Sequence, residues 1–144
     1  MNPFIVHMPK LSFAGLCYSK FTMAMLTGNV IHGDGFAGEG YGIPTANLSL
    51  LERPDLAPGV YAGYATWGDK HFESLICFDA DRHGKFEVHL FDFTGNLYDT
   101  RLSVDVRSKL SDLVPWTGEE AMRKKVGNDV NRARAFFESQ KHLA

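Results

Sequence analysis

The chain has 144 residues, a formal charge of −2 and 44% hydrophobic residues, which suits one domain of ordinary globular composition and is too little for two. No run approaches the ~18 uninterrupted apolar residues of a membrane span, and a slight acidic excess gives no support to a broad electrostatic grip on nucleic acid. Two cysteines, Cys17 and Cys77, are too few for a disulfide scaffold and lack zinc spacing, so idle thiols in a reducing, cytoplasmic compartment are expected.

Residues 1–20 are mildly apolar but interrupted by Pro3, Pro9 and Lys10. Without a charged n-region they make a poor signal peptide and read as an N-terminal arm preceding a domain over 21–144. Phe21–His32 reads as a first strand. Gly33–Gly42 follows, with five glycines in ten residues. Gly59–Trp67 and His71–Phe78 are strand-like runs separated by Gly68-Asp69, a hairpin signal. Asp79–Gly84 is another turn. Lys85–Phe91 alternates, with Phe86, Val88 and Leu90 on one face and Glu87, His89 and Phe91 on the other. Gly95-Asn96 turns the chain again. Thr100–Lys109 then alternates Leu102, Val104 and Val106 against Arg101, Ser103, Asp105 and Arg107.

The ending changes period. Thr117 and Glu120 have capping-box spacing. Met122, Val126, Val130, Ala133 and Phe137 then recur at three or four, an apolar stripe on one helix from about Gly118 to about Gln140. Five or six short strands joined by glycine turns, then one helix, imply a closed or nearly closed antiparallel barrel with the helix packed outside. No βαβ alternation supports a doubly wound fold.

Three places have chemical potential. The Gly33–Gly42 loop can bring backbone N–H groups close to phosphate oxygens, although on glycine content alone a flexible connection is the commoner explanation. It is neither a Walker A motif nor a dinucleotide fingerprint. Thr45 and Asn47 are hard oxygen donors two residues apart. In an extended segment they share a side, which suits one Mg²⁺ already bound to phosphates; capping the turn begun by Pro44 is the plainer role. Glu87 lies mid-strand, where a carboxylate is either solvated or a general base on a cavity. His83 and His89 have no third ligand at zinc spacing, and no G-x-S-x-G offers a nucleophile. Phe91, Phe93, Tyr98, Trp116, Phe136 and Phe137 are core residues first, and a ring sandwich second.

Taken together, Gly28–Gly35 (GNVIHGDG), Gly42–Asn47 (GIPTAN), Pro58–Ala62 (PGVYA) and Glu87–Phe93 (EVHLFDF) resemble the riboflavin kinase (flavokinase) family in order and spacing. The resemblance runs from Phe21 to Phe137. It implies a mainly β fold, a six-stranded antiparallel Greek-key barrel with a C-terminal α-helix. It also implies transfer of the ATP γ-phosphate to the ribityl 5′-hydroxyl of riboflavin, giving FMN and ADP, by a cytoplasmic monomer acting on small molecules, with no nucleic-acid or membrane partner. Carried over by position, Thr45 and Asn47 would hold Mg²⁺ or another divalent ion. Gly33, Gly35, Gly38, Gly40 and Gly42 would bind the nucleotide, Lys109 and Trp116 would meet the flavin, and Glu87 would be the base. Such a site needs positioning and charge neutralisation above all. The chain departs from the family in its loop, which has Phe36 and Glu39 and no cation, and in Tyr98-Asp99, where Tyr-Gly is usual. FAD synthesis is not implied. The rival readings are a flavin- or nucleotide-binding module with the same barrel and little turnover, and an interaction domain docking through its arm.

Overall fold

The computed structural model describes residues 21–32, 45–81 and 84–142. Six strands and one helix follow in chain order: β1 (Ala24–Ile31), β2 (Ala46–Leu50), β3 (Gly59–Trp67), β4 (Lys70–Asp79), β5 (Lys85–Leu90), β6 (Arg101–Ser111) and α1 (Glu119–Lys141). All neighbouring strands are antiparallel, and the order β1-β2-β5-β4-β3-β6 closes on itself through the β1–β6 pairing. The strands β3-β4-β5 form a meander, and β6 returns to lie beside β3, which is the Greek-key connection. Closure leaves no sheet edge exposed to another chain.

Alternation drives this arrangement. Every second residue of β5 (Phe86, Val88, Leu90) and of β6 (Leu102, Val104, Val106) is buried in the barrel interior. The residues between them face outward. At the β3–β4 turn, Gly68 takes φ 64° directly after Trp67, the left-handed conformation that a two-residue hairpin loop demands. Asp99 occupies φ 66°, where the family's usual glycine would rest without strain; Asp is among the few residues that tolerate it.

The helix lies on the outer wall of β3, β4 and β6. Ala133 and Phe137 pack there against Val60, Ala62, Leu75 and Phe91, while Val130 and Phe136 flank them. Burying an aromatic such as Phe137 contributes roughly 1.5–3 kcal/mol to holding the helix down. The capping-box expectation is corrected: the N-cap is Gly118, at φ 130°, and no side chain caps the helix. The acidic first turn, Glu119 and Glu120, supports the helix start through its dipole instead. Asp105, which alternation sets opposite the apolar face of β6, is nonetheless fully buried. Thr22 donates to its Oδ1 (2.9 Å) and the Arg107 Nε to its Oδ2 (2.9 Å), so the carboxylate is compensated. Arg107 also lies over the Tyr64 ring at 5.1 Å, and Tyr64 meets Phe137 at 5.3 Å, which ties β6 to the helix.

Candidate active site

Register assembles one row of outward side chains across the barrel wall. Asn47 of β2 faces Glu87 of β5, Glu87 faces Cys77 of β4, and Cys77 faces Val60 of β3. Directly opposed residues on antiparallel strands have Cα atoms ~5 Å apart, so the donor and the candidate base are nearest neighbours. Sequence spacing alone does not show this meeting, because 34 residues separate the end of β2 from the start of β5. Thr45 precedes β2 by one residue and shares the parity of Asn47, as an extended segment requires.

Glu87 is on the outer wall rather than in the filled interior. Its side chain is 18% exposed, and its Oε2 lies 3.1 Å from the Lys85 ammonium, two residues back on the same face. The ion pair constrains the orientation of a carboxylate that stays partly exposed. Sequence reading passed over Lys85, although its i, i+2 spacing to Glu87 on an alternating strand was the available signal. Asn47 is only 8% exposed, and among the described residues none hydrogen-bonds its side chain. A buried amide without a partner is costly unless a ligand completes it.

Cys77 is the floor between Glu87 and the helix. Burial, and next the Glu87 carboxylate, push its thiol up to about 12, with Asp79 acting in the same sense. The thiol therefore stays protonated at neutral pH and is a poor nucleophile. Alkylation of Cys77 by iodoacetamide at pH 8, followed by mass spectrometry of its peptide, should be at least ~100-fold slower than for a free thiol of pKa ~8.5. A rate near that of free cysteine would show an open, ionised thiol.

On the helix side, Lys125 donates to Ser111 Oγ (2.8 Å) and to Asp129 Oδ2 (2.5 Å), and Ser111 donates to Asp129 Oδ1 (2.7 Å). Ser111 opposes Val60, so it extends the same row. Lys109 stands nearby on β6 but is engaged with Asp112 at 2.8 Å; this hydrogen bond raises the lysine and lowers the carboxyl from their usual ranges. Trp116 lies in the connection to α1 and is 54% exposed. Neither residue is in the Asn47–Glu87 row. His89 shares the Glu87 face and meets Phe91 edge-on at 5.1 Å. Among the described residues no three His, Cys, Asp or Glu side chains cluster as a metal site. Gly33, Gly35, Gly38, Gly40 and Gly42, with Phe36, Glu39 and Pro44, lie outside the described residues, as do the arm 1–20 with Cys17 and His83. No described helix is long and apolar enough to cross a membrane.

A chain of this architecture has informative relatives. It is 33% identical over 123 residues to a bifunctional riboflavin kinase/FMN adenylyltransferase of Pseudomonas fluorescens, covering 81% of this chain and 39% of that one. It is 31% identical over 121 residues to the protein of the same description from Buchnera aphidicola, covering 78% and 38%. The chain thus spans well under half the length of these relatives. Among solved structures, the riboflavin kinase of Trypanosoma brucei matches with a TM-score of 0.62 at 17% identity, over 84% of this chain and 81% of that one. A Streptococcus pneumoniae structure described as a macrolide-efflux protein matches at 0.64 with 26% identity, over 76% and 36%. The family model described as Flavokinase, riboflavin kinase, matches residues 21–137, from the approach to β1 into the last turns of α1. By that match, and with the barrel and the helix in the arrangement its motifs require, this chain belongs to the riboflavin kinase family.

Proposed function

We propose that this chain transfers the γ-phosphate of ATP to the ribityl 5′-hydroxyl of riboflavin, giving FMN and ADP. The opposition of Asn47 and Glu87 across β2 and β5 carries the reading, because it sets a hard oxygen suited to a metal beside a carboxylate on one outward wall. Glu87 takes the proton of the 5′-hydroxyl as that oxygen bonds to the γ-phosphorus and the bond to the β-phosphate oxygen breaks. The Lys85 ion pair holds the carboxylate in line for this transfer.

A divalent ion fits the donor set. The buried Asn47 amide, without a side-chain hydrogen bond among the described residues, and the Thr45 hydroxyl offer hard oxygens of the type Mg²⁺ accepts alongside phosphates. Such an ion, when bound, neutralises charge on the nucleotide phosphates. The test is chromatographic detection of FMN after incubation with riboflavin, ATP and Mg²⁺. Absence of FMN, with riboflavin fluorescence still quenched on binding, would favour a flavin-binding module.

Removing the amide separates the two ligands. Asn47→Ala should weaken Mg·ADP binding by about 10-fold or more, the scale of a lost hydrogen bond to a charged group, and leave riboflavin binding nearly unchanged. Calorimetry with each ligand reads this. Equal losses would mean that the segment only shapes the wall.

A further inference from the structure

The Lys125–Ser111–Asp129 triangle is closed on itself except at one point. An ammonium has three N–H donors. Two are used, by Ser111 and Asp129, and the third has no partner among the described residues, although the Lys125 side chain is only 20% exposed. Asp129, at 5% exposure, already balances the charge. A second anion beside it would meet a buried carboxylate at close range, so the group that completes this ammonium is a neutral acceptor, a hydroxyl or a carbonyl oxygen.

Its position selects the ligand. Cys77 lies within electrostatic reach of Glu87 and also of Lys125 and Asp129. The row therefore runs from the metal donor Asn47, through Glu87 and over Cys77, to the helix. In-line transfer puts the nucleotide phosphates and the attacking hydroxyl on opposite sides of the phosphorus. With the phosphates on the Asn47 side, the body of the acceptor extends over Cys77 toward α1.

We infer that Lys125 is a specificity-determining residue for the phosphoryl acceptor, giving its third N–H to a neutral oxygen of the bound flavin substrate. This rests on the kinase reading. Lys125→Met keeps the stem and removes the donors. Its KM for riboflavin should rise about 10–100-fold, the range for losing a hydrogen bond to a charged group, while kcat and the KM for Mg·ATP stay within about twofold. Lys125→Arg should recover a substantial part of the loss. Thermal melting of each variant reports whether α1 stays docked. If Lys125→Met alone unfolds the helix, the double variant Lys125→Met with Asp129→Leu removes the whole buried pair, a replacement that is often neutral for folding. A folded variant with unchanged KM for riboflavin, or with equal rises for riboflavin and ATP, overturns the inference. A parent protein that makes no FMN overturns the kinase reading instead. Riboflavin fluorescence titration then decides on Lys125 alone: an unchanged Kd in the Met variant refutes its role, and a weakened one upholds it.

Discussion

Glu87→Gln is expected to lower kcat by about 10²–10⁴-fold, with riboflavin and Mg·ADP dissociation constants within about twofold of the parent. The substitution keeps shape and hydrogen-bonding capacity and removes basicity. It also breaks the ion pair with Lys85, but both side chains are partly exposed, so little stability is lost. Steady-state kinetics with FMN detection gives kcat, and fluorescence titration gives affinity. A Gln variant that turns over at the parental rate would leave Glu87 as a mere wall residue, and water or the nucleotide itself would have to take the proton. A fall in affinity matching the fall in kcat would make it a ligand contact.

The strands that alternate cleanly were legible. The β5 sequence places Phe86, Val88 and Leu90 inward and Glu87 and His89 outward, as the burial pattern shows. The five-residue β2, Ala46–Leu50, is too short to show a period, and the Thr-Ala-Asn motif alone marks where it starts. Two buried carboxylates lay beyond the reach of pattern reading for the same reason. Asp105 has the parity of an exposed residue but is covered by Thr22, more than eighty positions earlier, and by Arg107. Asp129 lies beside the apolar stripe of α1, three positions after Val126 and four before Ala133. That carboxylate on a core-facing stripe was the visible sign of a buried network, but its partner Ser111 is on another element. Contacts between distant segments are set by barrel closure and register, which no local period encodes. The site itself is a product of register: Asn47 and Glu87 are each visible in the sequence, and their opposition is visible only in the fold.

Gly63→Ala should cost about 3 kcal/mol or more, a large part of the 5–15 kcal/mol by which a domain of this kind is stable. A Cβ at this position in β3 would stand far inside van der Waals contact with the Asp105 carbonyl oxygen, and 2.8 Å from Ile76 Cδ1. The side chain of Ile76 can turn aside; the backbone of β6 cannot, because the β3–β6 register shifts between Ala62 and Gly63 and the strands are already locked around that irregularity. Displacing Asp105 would loosen Thr22 and Arg107, and through Arg107 the Tyr64–Phe137 contact that holds the helix. Gly68→Ala is the control. Nothing lies within 4 Å of its added Cβ, and only the φ of 64° opposes it, so its cost is about 1 kcal/mol. Urea unfolding of both variants, with m-values near the parent's, should give a clearly lower midpoint for Gly63→Ala. Equal midpoints would mean that β3 and β6 separate easily, and that the helix and the Lys125 network are held by packing on β4 rather than by the tight β3–β6 seam.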